Sequence, residues 1–115
     1  MPKTRLLTEF GMGTSLRRDA TTDAALRALK DALWHNSINL AEHFGCAKED
    51  MLIDVEIGVP DPETVDPEPL KAAFPYGQIT ITCRPGGLAV PKPGGGRTLI
   101  ANAAINVSLD LDRPK

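Results

Sequence analysis

Residues 51–59 read Met-Leu-Ile-Asp-Val-Glu-Ile-Gly-Val, and this stretch decides the fold because apolar residues occupy every second position. A β-strand points successive side chains to opposite faces, so the alternation predicts a strand with one apolar face. Asp54, Glu56 and Gly58 lie on the other face. The apolar face carries Met51, Ile53, Val55, Ile57 and Val59.

Three further stretches predict the other strands of the sheet. Residues 4–10 form a short first strand, which we expect the glycines of Gly11-Met12-Gly13 to end in a turn. Residues 78–83 alternate in the same way, and residues 98–111 form the longest strand. The Pro/Gly-rich residues 84–97 between them predict a loop.

Helices are predicted in the segments between these strands. One runs from Thr22 to Asn36, where Ala25, Leu29 and Leu33 recur at helical spacing. Its stripe of small residues, which permits close approach to a sheet or another helix, consists of Ala24, Ala28 and Ala32. Ser37 starts a second short helix over residues 38–44.

A third helix follows an acidic, proline-rich connector at residues 60–69. Asp66 is suited to cap its first turn, Pro67 to occupy its first helical position, and the helix is expected to continue to Phe74. The predicted order is therefore β-α-α-β-α-β-β. Strands with a single apolar face predict an α+β two-layer sandwich, with about four strands and all helices on one face, in a single domain over residues 1–115.

Composition excludes several functional classes. The 115 residues are 42% hydrophobic and carry a net charge of −2, which predicts a globular chain without affinity for nucleic acid. No apolar run approaches a membrane span or a secretory signal, so we expect a cytoplasmic protein that does not bind membranes. Cys46 and Cys83 lie far apart with no metal-binding spacing, so free thiols, no metal and no cofactor are expected.

The polar face of the predicted sheet indicates self-association. It is too polar for a core, yet Ile100 and Ala104 interrupt it, which is typical of a subunit interface that keeps hydrogen-bonding groups. We therefore predict a homo-oligomer with a small polar or anionic ligand at the interface. The polar residues expected on this face are Asp54, Glu56, Thr80, Thr82, Asn102, Asn106 and Ser108.

Two groups of residues are the candidate ligand-binding site. In the expected turn, backbone N–H groups at Gly11 and Gly13, with Thr14 and Arg17, suit an anion; the alternative is a tight turn with no ligand. On the sheet, the candidates are Glu56, Asn102 and Asn106.

Other polar residues carry open alternatives. Asp54 and Glu56 are spaced to bind a cation or to act as an acid–base pair, and the alternative is a polar face that is solvated or paired with another subunit. His35, beside Ser37, suits either a helix end or a nucleophile–base pair. Loop 84–97 is expected to be mobile and either to close over an anionic ligand or to stay solvated, and its three cations are Arg84, Lys92 and Arg97. The roles of His35 and of the loop stay open.

Several motifs resemble an uncharacterised family of conserved hypothetical proteins from bacteria and fungi, of about this length. They are Phe10-Gly11-Met12-Gly13-Thr14, His35-Asn36-Ser37, Ile57-Gly58-Val59-Pro60, Phe74-Pro75-Tyr76-Gly77, Gly86-Gly87-Leu88 and Ala101-Asn102-Ala103-Ala104. The chain departs from that family's pattern at Ser15-Leu16-Arg17-Arg18, where the family has Asp-Leu-His-Gly.

The chain is also distantly similar to one repeat unit of the ring-opening amidohydrolases, cyanuric acid hydrolase and barbiturase. That likeness implies a homotrimer or a multiple of it. Gly58 stands where the lysine of the amidohydrolase Ser–Lys pair is expected.

Three functions follow from the sequence. The first is an uncharacterised homo-oligomer that binds a small polar or anionic ligand between subunits. The second is hydrolysis of a small cyclic amide with Glu56 as general base, and the third is a structural or partner-binding module without catalysis. Whether the protein is an enzyme is left open.

Overall fold

The computed structural model describes residues 4–15, 20–34, 50–74 and 77–109, and these form an α+β sandwich. Its strands are β1 (Thr4–Ser15), β2 (Leu52–Val59), β3 (Gln78–Pro85), β4 (Leu88–Pro91) and β5 (Arg97–Leu109). The helices are α1 (Thr21–Trp34), a 3₁₀ turn (Pro62–Thr64) and α2 (Pro67–Lys71). The expected second helix, residues 38–44, lies outside the described residues.

The sheet is mixed, and β5 is its central strand. The order is β1-β5-β2-β3, with β4 paired to β5 beyond the end of β2. β2 and β3 are parallel, whereas β5 runs antiparallel to β1, β2 and β4. The sheet therefore has five strands where the sequence predicted about four.

One side of the sheet carries the hydrophobic core, as the alternation in β2 and β5 predicted. α1 packs on this side with Ala25, Leu29 and Ala32 fully buried, and α2 contributes Leu70. The apolar residues of the two central strands that face these helices are Ile53, Val55, Ile57, Val59, Leu99, Ala101, Ala103, Ile105, Val107 and Leu109.

The expected turn at Gly11-Met12-Gly13 is wrong, because β1 continues through both glycines to Ser15. Neither glycine has a positive φ. A Cβ on Gly11 would overlap Ala28 O and Ala32 N of α1, and one on Gly13 would overlap Ala28 N. The glycines are there because the helix backbone lies directly on the strand, and the alanine stripe gives the matching surface on the helix.

The expected loop at residues 84–97 is also wrong over much of its length. β3 extends to Pro85, the chain crosses the end of β2 at Gly86, and Leu88–Pro91 pairs with the start of β5 as a hairpin. Gly95 and Gly96 at its tip have φ of 102° and 76°, which favour glycine. The prolines and glycines of this segment belong mainly to the turns before and after Leu88–Pro91, and their number made the whole segment resemble a loop.

The acidic connector contains a short helical turn that the sequence did not predict. Residues 62–64 form the 3₁₀ turn, preceded by Asp61 at a φ of 52°. The Asp66 side chain accepts a hydrogen bond from Glu68 N at 3.1 Å, which confirms the predicted cap, but α2 ends at Lys71 rather than near Phe74. In the described part of the chain, neither α-helix has the length and apolar character needed to cross a bilayer.

Candidate functional site

The side of the sheet opposite α1, here called the open face, carries the candidate site. The strand register places its side chains in cross-strand rows. One row, from β1 to β3, is Thr8, Asn106, Asp54 and Thr80; the next is Phe10, Ala104, Glu56 and Thr82; the third is Met12, Asn102, Gly58 and Arg84.

Four side chains join these rows into a continuous hydrogen-bonded chain, here called the polar ladder (Thr8, Asn106, Glu56 and Arg84). Thr8 Oγ1 donates to Asn106 Oδ1 at 2.7 Å, and Asn106 Nδ2 donates to Glu56 Oε2 at 3.3 Å. The Arg84 guanidinium lies 2.7 Å from Glu56 Oε1. The ladder thus crosses four strands, and both carboxylate oxygens of Glu56 have partners.

Asn106 is the buried centre of the polar ladder, with 6% of its surface exposed. Its amide oxygen and nitrogen each have a side-chain partner, as a buried polar group requires. The two charged members are more accessible, since the side chains of Arg84 and Glu56 are 59% and 41% exposed. The ladder therefore presents its charges to whatever covers the open face.

An apolar patch lies beside the polar ladder on the open face. Phe10 and Met12 of β1 are 71% and 56% exposed, and Leu88 and Val90 of β4 are 56% and 49% exposed. Ile100 lies between the two strands, opposite Leu88. Clustered exposure of large apolar side chains on one face is typical of an interaction surface.

The structure brings together the three sheet residues of the predicted site. Glu56 and Asn106 are in direct contact, and Asn102 is exposed on the same face, two rows away from Asn106. Ser108, expected to be available there, is buried.

The turn residues are not joined to that group. Gly11 and Gly13 point at α1 on the opposite side of the sheet, and no turn is formed to collect their N–H groups. Thr14 lies on β1 opposite Ile100, and its carbonyl accepts from Arg27 Nη1 at 2.7 Å. Arg17, His35 and Ser37 lie outside the described residues.

Sequence reasoning missed Thr8, and it named Arg84 only as one of the loop cations that suit an anion. Arg84 was assigned to a loop, but it continues the alternation of Gln78, Thr80 and Thr82 by one more step along β3. This two-residue period was the feature of the sequence from which the position of Arg84 on the strand could have been predicted. Thr8 lies within the first predicted strand, and nothing local distinguishes it from its neighbours.

A second concave region, of about 380 Å³, lies at the start of α1. It is lined by Ala20, Thr21, Thr22, Asp61, Thr64 and Arg97. Its polar groups are engaged with one another: Arg97 Nη2 contacts Asp61 Oδ2 at 2.7 Å, and the hydroxyls of Thr21 and Thr64 are 2.6 Å apart. These contacts tie the connector to α1 and to β5.

Nucleophilic and metal chemistry have little support in the described ranges. Burial raises the pKa of the Cys83 thiol, which keeps it protonated and unreactive near neutral pH. Cys83 is a free cysteine, and Cys46 lies outside the described residues. Within residues 4–15, 20–34, 50–74 and 77–109 no group of three His, Cys, Asp or Glu side chains is placed to hold a metal ion.

Comparison with known proteins identifies the family. The model of the Lin0512 family of conserved hypothetical proteins matches residues 5–107. The chain belongs to this family. The uncharacterised conserved family expected from the motifs is thereby confirmed. No curated protein matches the sequence.

A solved structure shows the same fold as this Lin0512 family chain. It is the crystal structure of an FtsZ-like protein of unknown function from Nostoc punctiforme, with 35% identity and a TM-score of 0.87 over 95% of this chain and 98% of that chain. A chorismate mutase from Clostridium thermocellum gives a TM-score of 0.41 at 13% identity, over 96% of this chain and 88% of that one, too low to support an argument. Neither structure is a ring-opening amidohydrolase.

Proposed function

We propose that this Lin0512 family chain assembles with copies of itself through the open face, and that the polar ladder, with Asn102, binds a small polar or anionic ligand inside that interface. The observation that carries the proposal is a hydrogen-bonded ladder with a buried centre, Asn106, and accessible charges at one end. It lies beside an exposed apolar patch on a face that no described helix covers.

A second copy of the chain is the occupant that fits this face best. The open face offers an apolar patch for burial together with both signs of charge, in Glu56 and Arg84, so one copy can complement another. Burial of apolar surface supplies the association energy, and the polar ladder is already satisfied internally before association. The likeness to amidohydrolase repeats favours a trimer or a multiple of one.

The ligand class follows from the hydrogen-bonding capacity of the face. A guanidinium has five N–H donors, and the 2.7 Å contact of Arg84 with Glu56 uses one nitrogen, which leaves donors for a carboxylate or phosphate. Asn102 adds an exposed amide, and Gly58 between Asn102 and Arg84 contributes no side chain. The backbone of Gly86 and Gly87 lies over Gly58, so an anion would reach Arg84 and Asn102 from the exposed side of the sheet and not through the space above Gly58.

Glu56 competes with such an anion for Arg84. Removal of its charge in Glu56→Gln frees the guanidinium and is expected to tighten anion binding, whereas Arg84→Gln is expected to abolish it. For cyclic-amide hydrolysis Glu56 would have to act as a base, and both of its oxygens already accept hydrogen bonds. The geometry thus favours binding over hydrolysis.

A thermal-shift series with malonate, succinate and inorganic phosphate as probes tests the proposal. At about 100 times Kd a ligand specific for the folded state adds about 2.7 kcal/mol of stability. For a domain of this size that is a rise in Tm of about 10 °C. We expect it in the wild type, a larger rise at equal probe concentration in Glu56→Gln, and none in Arg84→Gln.

The variants separate specific binding from general effects of salt. Lys71→Gln removes a cation from α2, away from the open face, and serves as the matched control. Equal shifts in Arg84→Gln and the wild type would contradict the ligand site. Turnover of a cyclic amide that is lost in Glu56→Gln would instead favour the hydrolase.

A further inference from the structure

β1 forms one edge of the described sheet, and its outer edge is a potential pairing surface. In an antiparallel pair, alternate residues turn their N–H and C=O groups away from the neighbouring strand. Met12 and Thr14 are in this outward position on β1. Outward groups of an edge strand are a template on which a further strand can pair.

Two side chains of α1 reach around the strand to these groups. Met12 N donates to Asp31 Oδ2 at 3.0 Å, and Arg27 Nη1 donates to Thr14 O at 2.7 Å. The spacings match, since four helical residues rise about 6 Å and two strand residues about 7 Å. One turn of α1 therefore occupies two successive outward positions of β1.

The reach of these side chains depends on Gly11 and Gly13. Both glycines let the backbone of α1 lie directly on β1, so side chains at the margin of the helix extend past the strand to its edge. A helix held further away by a Cβ would not bring Arg27 and Asp31 to hydrogen-bonding distance. The glycines, the alanine stripe and this pair thus form one arrangement.

We propose that Arg27 and Asp31 close the β1 edge against strand addition by β1 of a second copy. Two identical edges pair antiparallel about a two-fold axis, so an uncovered β1 is complementary to itself. With the edge occupied, pairing of β1 with β1 of a second copy does not compete with association through the open face. The inference is independent of whether that face binds a ligand.

The test compares sedimentation masses of the wild type, the double variant Arg27→Ala/Asp31→Ala, and Lys30→Ala as a control on the exposed side of α1. The double variant is expected to keep its far-UV circular dichroism and to form species of at least twice the wild-type mass that grow with concentration. Adding Thr14→Pro removes an outward N–H without affecting the pairing to β5, so it is expected to restore the wild-type mass.

Hydrogen exchange gives a second readout if the double variant folds poorly. Exchange of the Met12 amide is expected to accelerate about tenfold or more in Asp31→Ala and to stay slow in Asp31→Asn, which keeps an acceptor. An unchanged mass in the double variant, large species that persist with Thr14→Pro, or a Met12 amide indifferent to Asp31→Ala would each overturn the inference.

Discussion

Substitution of Gly13 by alanine tests how α1 is seated on the sheet. The new Cβ would lie 2.5 Å from Ala24 O and 2.7 Å from the carbonyl carbon of Arg27, both backbone atoms of the helix. Backbone atoms of a packed helix cannot rotate away as a side chain does. To reach ordinary contact at 3.4 Å, α1 must retreat by at least about 0.9 Å from Ala24 O, and by more from Ala28 N, which lies closer still; a gap of that size forfeits a quarter to a half of each dispersion contact.

The expected cost follows from two opposing effects. Overpacking of a close contact destabilises by about 1–3 kcal/mol, and α1 carries five fully buried residues whose packing loosens as it moves. Because φ at Gly13 is not positive, alanine also restricts the unfolded chain, which returns about 0.4–1 kcal/mol. Because the clash is with backbone atoms, we expect the upper end of the overpacking range, which gives a net loss of about 2 kcal/mol and a fall in Tm of about 8–10 °C.

Urea unfolding followed by circular dichroism at one protein concentration measures this loss. Gly94→Ala is the matched control, because a Cβ there meets no atom within 4 Å and φ is not positive. Its stability is expected to equal or slightly exceed that of the wild type. Wild-type stability in Gly13→Ala, or an equal loss in both variants, would refute the account of the glycine contacts.

Three further predictions concern the open face and Cys83. Gly58→Ala places a Cβ at an ordinary 3.5 Å from Gly86 Cα, so the free energy of unfolding and the thermal response to malonate should both stay close to those of the wild type; a large loss of stability would contradict the contact between Gly58 and Gly86. Asn106→Asp sets a carboxylate against Glu56, so the variant should lose about 1–3 kcal/mol at neutral pH and regain part of it below pH ~4 in urea titrations; pH-independent stability would count against the ladder. Because burial raises the pKa of Cys83, the folded state holds the thiol proton more tightly than the unfolded state. This contribution to stability is complete below the unfolded-state pKa and is lost as the pH rises from there through the raised folded-state pKa. In a Cys46→Ser background, iodoacetamide should therefore modify Cys83 more slowly than free cysteine at pH 8, and equal rates would exclude the raised pKa.

Local sequence patterns predicted the elements that local physics determines. The alternation in residues 51–59 predicted both faces of β2, and the spacing of Ala25, Leu29 and Ala32 predicted the buried side of α1. The Asp66 cap was predictable because it depends only on residues of the same helix start, where Glu68 N donates to the Asp66 side chain. The two-residue period of the strands was also sufficient to place Glu56, Asn102 and Asn106 on one face.

The errors arose at residues whose structure depends on contacts with residues distant in the sequence. Gly11 and Gly13 locally indicate a turn. They are glycines, however, because a Cβ at either position would overlap α1, a helix that begins eight residues after Gly13. The Pro/Gly-rich segment read as a loop because the strand at Leu88–Pro91 is only four residues long and depends on β5 for pairing. Arg84 was expected in that loop as a candidate cation, so its place at the positive end of the polar ladder became visible only in the structure.

Sedimentation velocity in dilute buffer is the most direct test of the proposal that the open face joins copies of the chain. For a 12.3 kDa protomer we predict a mass of several copies for the wild type, the same mass for Lys30→Glu on the opposite side, and a single protomer for Phe10→Lys, which puts a charge into the apolar patch. A wild-type mass of one protomer, or assembly unaffected by Phe10→Lys, would contradict it.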